Sequence, residues 1–242
     1  MVSKTASSSG GSRLRSFAFQ APLVVGDMPR NTVLLTGFGA FPGVVRNVSA
    51  DLAADLAQLA SLRFGDLEFV SDVLPVDWSE APIRLDALLR QHRPNLVLHF
   101  GVSARASGLV VESYAYNETK RVEDACGHFA VHEKVVAGDR PRRSAKLPVR
   151  RVVRRLTAAG YPAEISTDPG RYLCNSILFH SLRYAARAPH PARAGFIHIP
   201  ATLEPETAGE ASLIGWTEAL DAGLLLLDSC LAPLRPQSQF LS

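Results

Sequence analysis

Three side chains far apart in the chain have the types that nucleophilic catalysis needs. Cys174 lies in the stretch Asp168–Leu182, which reads DPGRYLCNSILFHSL. Pro169 and Gly170 punctuate a turn, and Ile177, Leu178 and Leu182 then mark the apolar stripe of a helix. The spacing predicts a thiol in the first helical turn. Unpaired backbone N–H groups and the positive end of the helix dipole favour an anion there, and the thiolate is the nucleophilic form of cysteine. Cysteine also commonly does no more than fill core, so a base and a group to orient that base are needed. His198, in GFIHIP, is the candidate base. Glu112, within the apolar segment Leu109–Tyr116, is the candidate orienter and could stabilise an imidazolium. A histidine among apolar residues and a carboxylate in a strand both have ordinary structural readings, and residue types alone leave the choice open.

The elements that must position these groups alternate. Val33–Thr36 predicts a buried strand, followed by the glycine-rich loop 37–43, in which Phe38 and Phe41 could wall a small apolar pocket or anchor the loop on the core. A helix over 50–62 follows, with Asn47 or Ser49 as its cap. Next come a strand over 67–74, a helix over 79–92, a strand over 96–100 and the segment 109–116. A loop over 121–127 and a short strand or hairpin arm over 131–136 precede a helix over 146–159 and a strand over 163–166. The cysteine helix runs to about Ala186, a strand covers 195–199, and a last helix begins near Ser212 and stops before Pro233. This order predicts an α/β fold, a three-layer αβα sandwich on a mostly parallel central sheet. In such sheets sites gather at the C-terminal ends of strands, and Phe38, Glu112, Cys174 and His198 fall at or near such ends.

Composition sets the broader bounds. The 242 residues, 47% hydrophobic and 20% charged with a net charge of +3, fit one globular domain, placed at 31–235. Residues 1–30 are Ser-rich and basic and read as a disordered extension, with an organelle leader as the alternative, and 236–242 read as a tail. Trp216, Glu218, Asp221 and Asp228 interrupt the most apolar stretch, so no membrane span is expected. Cys126, Cys174 and Cys230 are too few and scattered for a disulfide framework or a zinc site. They fit a reducing, cytoplasmic setting. The basic block from Arg140 to Arg155 could face phosphates, but Val149, Val152, Val153 and Leu156 give it the stripe of an ordinary helix, and no nucleic-acid role is expected.

The motifs in combination resemble those of the pyroglutamyl peptidase I family of cysteine peptidases, over nearly all of residues 32–230. LLTGFGAF is similar to the family's opening strand and GF-x-x-F loop. KLPVRRVVRRLTAAGYPAEIS looks like its LPV-helix-GIPA-strand segment. PGRYLCN resembles AGTYVCN, and GFIHIP resembles GFIHVP. Gly101 through Glu112 to Asn117 is similar to the family's glutamate segment, and Arg121–Gly127 resembles R-I-P-D-N-x-G. The resemblance implies removal of N-terminal pyroglutamate from blocked peptides, with Cys174 as nucleophile, His198 as base and Glu112 as orienter. It implies Arg121 and the Cys174 N–H on the oxyanion side, and Phe38 and Phe41 about the ring with Val76, Val122 and Leu173 beside it. No metal or organic cofactor is implied, and a homo-oligomer, dimer or tetramer, is. A divergent cysteine amidohydrolase and a non-catalytic relative are the alternatives. The departures cluster between Gly101 and Arg121: the family's ERVA reads Glu112-Ser113-Tyr114-Ala115, the interval to Arg121 is one residue shorter, GxAxGR reads GVSARA, and Cys126 is unusual in its loop.

Overall fold

Strands that are apolar on both faces belong to a sheet covered on both sides, and β1 (Thr32–Phe38) is buried along its whole length. A computed structural model of the chain describes residues 1, 31–44, 46–203 and 214–231, and the expectations for 2–30 and 236–242 lie outside the described residues. After β1 come α1 (Val48–Arg63), β2 (Glu68–Leu74), α2 (Glu80–His92), β3 (Leu96–Ser103), β4 (Leu109–Glu112), β5 (Tyr114–Tyr116) and β6 (Arg142–Ser144). The chain continues through α3 (Val149–Ala158), β7 (Ala163–Ser166), α4 (Leu173–Arg187), β8 (Arg193–Pro200) and α5 (Trp216–Leu231). Six strands form one sheet in the order β2-β1-β3-β8-β4-β7, and β5 and β6 pair separately.

Alternation along each strand sorts the core into two layers. Val33 and Leu35 of β1, Leu96, Leu98 and Phe100 of β3, and Ile197 and Ile199 of β8 pack against α1, α3 and α5. Leu34 and Phe38, Val97, and Ala194 and Phe196 point the other way, against α2 and α4. The result is the expected three-layer sandwich. Each fully buried Leu or Phe contributes roughly 1.5–3 kcal/mol, and Phe100, Phe179 and Phe196 are among the largest such side chains. Close approach of α1 to the sheet requires Gly37, where a Cβ would lie 2.2 Å from the Ser49 carbonyl oxygen. Among the described residues no helix is long and apolar enough to cross a membrane.

The structure corrects several expectations. The segment 109–116 is two strands, because the chain turns at Ser113 and β5 leaves the sheet to pair antiparallel with β6. Residues 131–136 form no strand. Asn117 holds them instead, accepting from Val136 N at 2.8 Å and donating to the Val136 and Asp139 carbonyls. Helix α3 starts at Val149, not at 146, since Pro148 restricts the residue before it; the expected start of the last helix at Ser212 lies outside the described residues. Four of the five strand pairings in the large sheet are parallel, but β4 runs antiparallel to β8. Glu112 therefore does not share a strand direction with His198 and reaches it from a reversed neighbour.

Candidate active site

The sheet face under α4 carries the polar groups. Period-two alternation directs Thr36 and Phe38 of β1, His99 and Gly101 of β3, Phe196 and His198 of β8 and Glu112 of β4 to that side. Register sets Thr36 beside His99, His99 beside Phe196 and Gly101 beside His198. Above them, Cys174 is the second residue of α4. That helix start has no capping side chain and no acid in its first turn, so its N–H groups face the thiol's surroundings unneutralised.

Room for the sulfur comes from a missing side chain. A Cβ at Gly101 would stand 3.3 Å from Cys174 Sγ and 2.7 Å from Phe196 Cζ. The thiol hydrogen-bonds His198, whose Nδ1 lies 2.8 Å from Glu112 Oε1. The His198 side chain is 12% exposed and that of Glu112 2%. Burial works against charge on His198, but hydrogen bonds to Cys174 and Glu112, with the negative charge of both, outweigh it and push the imidazole up to about 10. The other carboxylate oxygen, Glu112 Oε2, is buried without a hydrogen-bond partner among the described residues. A thiol, a cationic imidazole and a buried carboxylate in one chain can attack a carbonyl and return a proton to a leaving group.

The residues expected to wall the substrate divide in two. Phe38, Val76 and Leu173 are buried in the α2–α4 layer, and Phe41 packs on it while partly exposed. The Phe38 ring lies 6.3 Å from that of Phe196, which is 4.8 Å from His198. Val122 is exposed and meets the layer through its carbonyl, which accepts from the Trp78 indole N–H at 3.0 Å. Arg121 is exposed, its guanidinium 4.8 Å from the Phe129 ring centroid. A groove of about 560 Å³ is lined by Tyr114, Pro148 and Arg150 and does not include Cys174.

Several residues that organise the site had not been singled out. Asn175, next to the thiol and fully buried, accepts from Tyr116 N and donates to the Tyr116 and Glu118 carbonyls. Arg171 lies 3.9 Å over the Tyr116 ring and pairs with Glu118 and Asp168. These contacts pin the loop before α4 to β5. Asp124 is buried and accepts from the N–H groups of Trp78, Cys126 and His128. Burial alone would raise its carboxyl, but those three donors and nearby His128 hold it below the usual range. Asn175 follows Cys174 in PGRYLCN and Asp124 lies in the Arg121–Gly127 motif, so adjacency was the signal available. Asp77, Asp124 and Cys126 have donor atoms within 4.8 Å of one another and could hold a metal ion, apart from the Cys174–His198 pair.

The pyroglutamyl peptidase family profile matches residues 31–213. A pyrrolidone-carboxylate peptidase of Gloeobacter violaceus is 36% identical over 186 residues, 75% of this chain and 88% of the relative. One of Pyrococcus furiosus is 32% identical over 169 residues, 69% of this chain and 80% of the relative. Among solved structures, a mutant pyrrolidone carboxyl peptidase of P. furiosus matches with a TM-score of 0.75 at 28% identity, covering 84% of this chain and 100% of that one. Pyroglutamyl peptidase I of Bacillus amyloliquefaciens matches with a TM-score of 0.74 at 26% identity, covering 84% and 98%.

Proposed function

We infer from two facts, that this chain belongs to the pyroglutamyl peptidase family and that Cys174, His198 and Glu112 form one hydrogen-bonded chain, how it acts. It removes N-terminal pyroglutamate from peptides by thiol chemistry. The carrying observation is the His198 contact to both neighbours. The Cys174 thiolate attacks the carbonyl carbon that follows the lactam ring. The C–N bond then breaks, the leaving amine takes the proton from His198, and a thioester remains. Water, losing a proton to His198, attacks the thioester, the C–S bond breaks, and pyroglutamate leaves with the thiolate restored. Glu112 keeps the imidazole oriented and charged.

The ring slot rests on Phe38, Phe41, Val76, Val122 and Leu173. A five-membered lactam is neutral and compact, so an apolar wall suits it, whereas an ordinary charged N-terminus would lose hydration without repayment. The Cys174 N–H, in the first turn of α4 where a helix leaves its N–H groups without intrahelical partners, meets the oxyanion, and Arg121 joins it by leaving Phe129. The basic block supports a structural rather than a nucleic-acid role, since Arg143 pairs with Asp139, Arg155 with Asp228, and Arg151 donates to the Ser229 carbonyl. A cytoplasmic protein that assembles as a dimer or tetramer is part of the same reading, and light scattering on the full chain tests the assembly.

The direct test is hydrolysis of a pyroglutamyl–fluorophore amide beside the prolyl and alanyl amides, for the wild type, the alkylated protein and Cys174→Ser. Selective release from the pyroglutamyl amide, lost on alkylation and in Cys174→Ser, is the expected result. Substantial turnover by Cys174→Ser would sink the assignment of the nucleophile. Cleavage of the prolyl amide at an equal rate would sink the ring slot.

A further inference from the structure

On the same face of the sheet, spanning β1, β3 and α4, lies a second polar chain. Thr36 Oγ1 is 2.6 Å from His99 Nδ1, and His99 Nε2 is 2.7 Å from Ser181 Oγ. All three residues are fully buried. Burial holds His99 neutral, with its pKa down at about 3, so its ring has one N–H to donate and one nitrogen to accept. One hydroxyl accepts and the other donates, and both ring nitrogens are used.

Such a group is an unusual occupant of an apolar core. Three matched apolar side chains would fill the space at little or no cost in stability, whereas each polar one must find its partner or be heavily penalised. What the trio adds over an apolar filling is direction, because hydrogen bonds fix a helix relative to a sheet at one height and one rotation. The location gives that direction a use. Ser181 is seven residues from Cys174 on α4, two turns and about 10.5 Å along the same helix face. Thr36 and His99 are register partners on β1 and β3, and β3 carries Gly101, the seat of the sulfur. A second route runs sideways, since the His99 ring lies 6.1 Å from Phe196, which lies 4.8 Å from His198.

We propose that Thr36, His99 and Ser181 are positioning residues that set α4 against β1 and β3, and thereby hold the Cys174 sulfur over Gly101 within reach of His198. The proposal rests on the reading of Cys174 and His198 given above. The trio touches neither substrate nor reacting atoms and acts only through α4, Gly101 and Phe196.

The test compares Thr36→Val, which keeps the shape and removes the hydroxyl, with Thr36→Ser, which keeps the hydroxyl, and adds Ser181→Ala. His99→Leu is left out because it can fail to fold. Each variant is assayed well below its melting temperature for kcat and KM on the pyroglutamyl amide, and for the pH profile of Cys174 alkylation by iodoacetamide. Expected are a threefold or larger fall in kcat for Thr36→Val and Ser181→Ala, KM within twofold, and an alkylation profile moved toward that of a free thiol, with Thr36→Ser restoring both. A lowered melting temperature with a kcat change under threefold, or an unmoved alkylation profile, overturns the proposal, as does failure of Thr36→Ser to restore them. If the wild type cleaves no pyroglutamyl amide, alkylation alone decides: a moved profile keeps the positioning role and removes only the substrate.

Discussion

His198 Nδ1 and Glu112 Oε1 are 2.8 Å apart across a pair of antiparallel strands, 86 residues apart in the chain. The carboxylate is all but sealed from solvent, and its second oxygen has no hydrogen-bond partner among the described residues. Its position is held by the strand and by the bond to His198. Glu112→Gln keeps the shape but can present an N–H to the imidazole, and it removes the charge that favours imidazolium. Turnover of the pyroglutamyl amide is expected to fall by about 10²–10⁴ with little change in KM. A fall under threefold would make Glu112 a structural residue.

The electrostatics of His198 give a pH signature. An unfolded chain titrates its histidines near 6.5, and the folded protein keeps the His198 proton up to about 10. This contribution to stability is therefore full below about pH 6.5 and is lost as pH rises through about 10. Over the same span the imidazolium remains beside the sulfur. Alkylation of Cys174 at neutral pH is expected to be about tenfold faster in the wild type than in His198→Ala, which removes the cation beside the sulfur. Equal rates in the two proteins would remove His198 from its role.

Gly101→Ala tests the seat of the sulfur. The new methyl would press on Phe196 Cζ and Cys174 Sγ. Phe196 is fully buried and has little room to yield, so a stability loss of roughly 1–3 kcal/mol is expected from overpacking. With it comes at least a tenfold drop in kcat, because the displaced group is the proposed nucleophile. Unchanged kcat in urea-stable protein would show that the sulfur does not depend on that gap.

Asp124 clamps the loop that carries Cys126 and His128 through three backbone donors. Asp124→Ala leaves those donors unpaired and should cost roughly 2–4 kcal/mol in denaturant titrations. It should also speed proteolysis within residues 121–129 and raise KM more than it lowers kcat. Because the folded carboxyl sits below its usual range, the wild-type advantage is present above the unfolded value near 3.9 and lost as pH falls through the lower folded value. A stability gap that does not narrow as pH falls below the unfolded value would place the effect in packing instead.

Much of the framework was legible because buried strands announce themselves. Val33–Thr36 and Leu96–Phe100 are apolar on both faces and bounded by glycine or proline, and the helix stripes follow the 3.6-residue period. Cys174, His198 and Glu112 could be named from residue type and resemblance, and the fold brings them together. The direction of β4 was not legible, since four residues and one turn at Ser113 carry no sign of orientation. The roles of Asn117, Asp124 and Asn175 were hidden for another reason. Asn117 and Asn175 bond to backbone groups 19 and 59 residues away, and Asp124 reaches Trp78 46 residues away, and no local period reports such contacts. Thr36, His99 and Ser181 were likewise unremarkable until register and helix phase put them in line.

The strand order has a bearing on synthesis. β8, the last strand among the described residues, is inserted between β3 and β4 rather than added at an edge. His198 thus arrives after Cys174, Gly101 and Glu112 have all been translated, and the reactive pair closes only when the middle of the sheet is filled. A nascent chain lacking β8 has the thiol without its proton partner. On the proposed mechanism, activation of the sulfur is in this way tied to completion of the fold, and a chain halted before residue 193 is expected to alkylate at Cys174 more slowly than the full chain.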